Sequence, residues 1–165
     1  MLAIRTVLHP TDFSENSDFA FRLACSLARD YRALLVVVHV AEPVVPLYGD
    51  GVVISPPVVS KESLLDKLRQ MLPRDPKVNV EHRLAEGDAA VEILRLAQQI
   101  QPDVIVMGTH GRTGLARLLM GSVAEKVVRK APCPVVTVKT PLPEARTSEE
   151  PALETAGSCA TVTKG

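Results

Sequence analysis

The chain has 165 residues, 46% of them hydrophobic and 23% charged, which is enough for one globular domain with a buried core. Its 19 Lys and Arg balance 19 Asp and Glu, and aromatics make up only 3%, so neither the basic footprint nor the stacking platform of a nucleic-acid binder is visible. No apolar run approaches the roughly 20 residues of a membrane span, and the start MLAIRTVLHPTDFSEN has no long apolar signal core, so a cytoplasmic protein without a membrane span is expected.

Ile4 to Leu8 is a short β-rich run, and Pro10 with Asp12 marks a turn after it. Ala20, Leu23, Ala24, Leu27, Ala28 and Tyr31 follow the rhythm of one helical face, with Ser14 placed to cap the first turn and Glu15 and Asp18 suited to its positive end. Leu34 to Val40 is apolar without alternation, as a parallel strand covered on both faces should be. Residues 41–57 are rich in Pro and Gly, show no clean period and read as a long loop, either a connector or a partner surface. Leu64, Leu65, Leu68, Met71 and Leu72 define a second helix closed by Pro73.

Residues 77–84 place Val78, Val80 and His82 on one side of a third strand, whose alternation suits a sheet edge. A helix then opens at Gly87-Asp88 with Ala90, Ile93, Leu94, Ala97 and Ile100 inward, and Pro102 ends it. Val104 to Met107 is strand four. A last helix from about Met120 to Lys130 buries Val123, Ala124 and Val127, and Val135 to Val138 is strand five. This alternation predicts an α/β fold: a doubly wound five-stranded parallel sheet, order 3-2-1-4-5, with helices on both faces. Residues 141–165 have the Pro, Glu, Ser and Thr bias of a flexible tail after a 1–140 domain. Cys25, Cys133 and Cys159 follow no CxxC or zinc-ligand spacing and read as structural thiols.

Between strand four and the last helix lie Gly108, Gly111, Gly114 and Gly121. In order 3-2-1-4-5 the winding reverses between strands one and four, and ligands of such sheets sit beyond the carboxyl ends at that reversal. Gly121 and Ser122 stand at the start of a helix, where free backbone N–H groups form a phosphate site. There is no GK[ST] for a Walker loop and no GxGxxG after the first strand for a dinucleotide fold.

The segment Gly108, Thr109-His110, Gly111, nine residues, Gly121-Ser122 has the spacing G-x2-G-x9-G-[ST]. With VLHPTDFSENS and EGDAAVEILRLAQQIQPDVIVMGTHGRTGL, it resembles the ATP-binding branch of the universal stress protein family, over residues 1–139. The resemblance implies a Rossmann-like fold of the adenine nucleotide alpha hydrolase-like kind. It implies ATP, or AMP or ADP, held by Pro10, Thr11 and Asp12 at the adenosine side, with Val40 at the adenine. Met107, Gly108, His110 and Gly111 would run under ribose and phosphates, and Gly121, Ser122 and Val123 would hold the phosphates, with Mg2+ reaching the site through them. Ala124 stands where nucleotide-binding members often carry a hydroxyl. The resemblance also implies a homodimer through Val135 to Val138, and the leading expectation is a regulatory protein in which ATP occupancy changes what the dimer or the 41–57 loop presents to an unidentified regulatory protein partner.

Two other functions remain open at this point. One is a slow ATP hydrolase or self-phosphorylating protein using Asp12, His110 and Ser122; the other is a nucleotide-free dimeric interaction module.

Overall fold

The computed structural model describes residues 3–43, 47–49, 52–54, 59–109 and 120–139, with 47–49 and 52–54 described by their backbone. In chain order the elements are β1 (Thr6–Thr11), α1 (Glu15–Tyr31), β2 (Leu34–Ala41), β3 (Leu47–Gly49), β4 (Val52–Ile54), α2 (Lys61–Gln70), β5 (Val80–Glu86), α3 (Ala89–Ile100), β6 (Val104–Gly108), α4 (Ser122–Lys130) and β7 (Val135–Val138). The main sheet has the order β5-β2-β1-β6-β7 with every pairing parallel. Counting only its own strands, that is 3-2-1-4-5, as the alternation predicts. No helix among the described residues is long and apolar enough to cross a membrane.

Alternation along the strands divides the core in two. Val7, Leu35, Val37, Val104 and Val106 face α1 and α2, where Ala20, Ala24, Ala28 and Leu68 meet them. Three alanines four residues apart leave no bulk on that stripe of α1, so the helix axis can approach the sheet closely. Leu8, Val36, Val38, Val40, Ile105 and Met107 face the other way, against Ile93, Leu96 and Ala97 of α3 and Ala124 and Val127 of α4. Fully burying a side chain such as Leu8, Leu35 or Ile105 stabilises the fold by roughly 1.5–3 kcal/mol relative to exposure.

The helices end on identifiable signals. Ser14, Ser60 and Asp88 cap α1, α2 and α3, each accepting a backbone N–H from the first turn. The cap of α4 is Gly121, which has no side chain to offer.

Several sequence expectations need correction. β1 continues through Pro10 to Thr11 instead of turning at Pro10. Its pairing with β6 stops at Leu8–Ile105, while its pairing with β2 runs on to Thr11–His39, so Pro10 lies where the β6 side has parted from β1. The 41–57 segment is not loop throughout: β3 and β4 pair antiparallel, Leu47 with Ile54 and Gly49 with Val52. Helix α2 stops at Gln70, which leaves Met71 as its cap and Leu72 exposed. The third sheet strand begins at Val80, and Val78 is buried just ahead of it; its edge position agrees with the alternation. Helix α4 begins at Ser122 and buries Ala124 and Val127, with Val123 half-buried beside them. Leu96, absent from the expected inner face of α3, is buried there. The proposed tail, 141–165, lies outside the described residues.

Candidate functional site

β1 and β6 part at their carboxyl ends, at the reversal of winding, which is where the ligand crevice lies in sheets of this kind. Pro10, Val40 and Met107 lie at those ends, all on the face covered by α3 and α4, and all buried. Val40 and Met107 share one apolar cluster, against which Val123 packs.

Thr109 joins the parts of this region. Its backbone N–H donates to the Val138 carbonyl at 2.9 Å and its hydroxyl to the same oxygen at 3.0 Å, fixing the end of β6 to the end of β7. Its own carbonyl accepts the Gly121 N–H at 2.7 Å. The N-terminus of α4 is therefore held directly beside the carboxyl end of β6. His110 and Gly111, two of the expected site residues, lie outside the described residues.

Gly108 and Gly121 have different physical reasons. A Cβ on Gly108 would meet the backbone carbon and oxygen of Asn16 at 3.3 Å, so this glycine lets the first turn of α1 sit against β6. Gly121 has φ −70° and ψ 155°, open to any residue, and what matters there is the lack of a side chain at the cap of α4. Ser122 is exposed at the first position of that helix. Ala124 is 3% exposed and packs with Val127 against the sheet, so its side chain belongs to the core.

At the end of β1, each polar side chain has a partner. Thr11 Oγ1 accepts the Phe13 N–H at 3.1 Å and the Ser17 hydroxyl at 2.8 Å, so it braces the turn from the α1 side. Asp12 Oδ1 accepts the Ser14 N–H at 3.1 Å and the Ser14 hydroxyl at 2.6 Å. His39 Nδ1 donates to the Thr11 carbonyl at 2.8 Å. His9 is buried behind the crevice, donating from Nδ1 to the Val106 carbonyl at 2.8 Å and packing 5.5 Å from the Phe21 ring. Burial pushes its pKa down from 6.5 to about 4, against the opposing pull of that hydrogen bond and of the Asp12 charge. Neither Thr109 as a connector nor His39 as a brace is legible from spacing, because each acts on a residue 28 or 29 positions away.

The two described cysteines are unpaired. Burial pushes the Cys25 thiol up to about 11 and raises Cys133 as well, which keeps both protonated and unreactive. A groove of about 650 Å3 beside Ala41, Ser60, Lys61, Glu86 and Gly87, with a Lys61–Glu86 ion pair on its wall, adjoins the ends of β2 and β5. It contains none of the expected phosphate-binding residues.

The doubly wound five-stranded parallel sheet, order 3-2-1-4-5 with helices on both faces, defines an α/β fold whose winding reversal lies beside a glycine-capped helix start. Residues 3–139 match the universal stress protein family, and the chain belongs to that family. It is 36% identical over 148 residues to the universal stress protein MJ0531 of Methanocaldococcus jannaschii, covering 85% of each chain. Its fold is similar to that of a universal stress protein solved in complex with cAMP, with TM-score 0.62 and 24% identity over 84% of this chain and 98% of that one. It is similar also to the Archaeoglobus fulgidus universal stress protein solved in complex with dAMP, with TM-score 0.57 and 22% identity over 84% and 100% of the two chains.

Proposed function

We propose that this chain is a cytoplasmic regulatory protein that binds an adenine nucleotide, ATP by expectation, in the crevice between the ends of β1 and β6. The observation that carries the reading is the start of α4: its cap has no side chain, and the Gly121–Thr109 hydrogen bond holds it at the winding reversal. Backbone N–H groups in such a position bind an oxyanion without any catalytic side chain. Gly121, Ser122 and Val123 would take the phosphates, and Pro10, Val40 and Met107 would offer an apolar wall to the adenine. Asp12 would accept from the ribose. Gly108 with His110 and Gly111 would complete the floor in the manner of the ATP-binding branch, and Mg2+ would enter bound to the phosphates. That two family members of the same fold were solved with cAMP and dAMP supports adenine as the base.

Occupancy would act by changing what a homodimer, joined along the β7 edge, or the 41–57 segment presents to a regulatory partner. Turnover is expected to be slow, because the glycine segment supplies positioning groups but no evident water-activating base. The test is to denature the purified chain and identify the small molecules released. Adenine nucleotide in the wild type, depleted in Gly121→Val, is expected; equal amounts in both would contradict the phosphate site, and none in either, with no ATP binding by calorimetry, would contradict the reading.

A further inference from the structure

Among the described residues, three that are not glycine have positive φ: Phe13 at 62°, Arg32 at 55° and Gln101 at 48°. Arg32 and Gln101 follow the last residues of α1 and α3, where a left-handed residue satisfies the final carbonyls. Phe13 ends no helix. It stands immediately before the cap Ser14, and a bulky aromatic residue in this region persists only where its surroundings over-determine it.

Those surroundings are specific. The Phe13 ring lies 4.4 Å from the His39 ring at a 40° tilt, and Lys67 Nζ of α2 lies 5.5 Å from its centroid. His39 in turn holds the Thr11 carbonyl, and Thr11 Oγ1 holds the Phe13 N–H. The peptide units on both sides of Asp12 are thus fixed from the α1–α2 face of the sheet. Ser14 occupies Oδ1 of Asp12; among the described residues no hydrogen bond reaches Oδ2.

We propose that Phe13, seated on His39, is a positioning residue: the pair holds the 11–14 turn in its left-handed form so that Asp12 presents Oδ2 to the ribose hydroxyls of an adenine nucleotide. The inference rests on the nucleotide reading above and adds how the ribose acceptor is aimed. Preorganisation of this kind raises affinity by removing the cost of ordering the turn when ligand arrives. The strain at Phe13 is maintained by its contacts with His39 and Lys67 and by its packing against the α1–α2 core, which hold the turn from one side.

The discriminating measurement is calorimetric affinity of the full chain for ATP and for 2′,3′-dideoxy-ATP, in wild type, Phe13→Gly, Phe13→Tyr and Asp12→Asn. Glycine tolerates the left-handed conformation but removes the ring that holds it. Phe13→Gly and Asp12→Asn are expected to weaken ATP about tenfold, the scale of one hydrogen bond to a charged group, and the dideoxy nucleotide less than about twofold. Phe13→Tyr should match the wild type. If Phe13→Gly does not fold, His39→Gln, which keeps an N–H donor and loses the ring, makes the same comparison. Equal weakening of both nucleotides would mark the pair as structural only and overturn the proposal, as would unchanged ATP affinity in Phe13→Gly or equal wild-type affinity for the two nucleotides. A wild type that binds neither nucleotide would overturn the nucleotide reading together with it.

Discussion

The His9 imidazole is completely buried, with Nε2 lacking a partner among the described residues and a pKa lowered from 6.5 to about 4. An unfolded chain takes up this proton more readily than the folded one, so the neutral ring stabilises the fold fully above pH 6.5, and that stability is lost as pH falls to about 4. The loss is on the order of 3 kcal/mol. Urea unfolding at pH 7 and pH 4.5 should show the fall, and His9→Gln should flatten it; a His9 ring that titrates near 6.5 by NMR would contradict the burial. Asp103 acts at lower pH. Its carboxylate accepts the Arg5 and Thr6 N–H groups, which hold its pKa below 3.8, so its contribution disappears only as pH falls further. Gly108→Ala tests the approach of Asn16. The added Cβ at 3.3 Å from backbone atoms should cost about 1–3 kcal/mol in unfolding free energy, since backbone cannot give way as a flexible side chain does. An unchanged urea midpoint would show that α1 shifts without cost.

Among the elements, α3 and β7 carry separable predictions. Asp88 accepts the Val91 N–H at 2.9 Å, and replacing it with Ala should cost about 1 kcal/mol, read as a lower thermal midpoint with the fold retained. β7 is an edge strand with Val136 37% exposed, so the proposed dimer through this edge should be broken by Val136→Asp. Sedimentation equilibrium would show a monomer; a dimer of unchanged strength would place the interface elsewhere. The elements most legible in the sequence were those with long periodic faces or unbroken apolar runs, such as α1 with its Ser14 cap and β2. The end of β1 was misread because Pro10 disrupts a strand only where a neighbour needs its N–H, and β6 has already parted from β1 there. The β3–β4 pair was missed because each strand has three residues among many prolines, although Asp50-Gly51 between LYG and VVI is a hairpin signal.

For the molecule as a whole, the sheet order was legible because it follows from chain order alone, and the glycine spacing marks the proposed site at the winding reversal. What spacing does not carry is how the two ends of the glycine segment are brought together. That depends on Thr109 reaching Val138 and Gly121, a tertiary arrangement of β6, β7 and α4. The likeness of Gly108 and Gly121 as motif glycines also conceals different duties, one toward Asn16 and one at a helix cap. The proposed adenine-nucleotide site is tested most directly by calorimetric titration of ATP into the full chain stripped of bound nucleotide. The account predicts saturable binding of about one ATP per chain, weakened at least about tenfold by Gly121→Val, whose side chain would stand where phosphate approaches the α4 N–H groups. Absence of binding in the wild type, or undiminished affinity in Gly121→Val, would contradict it.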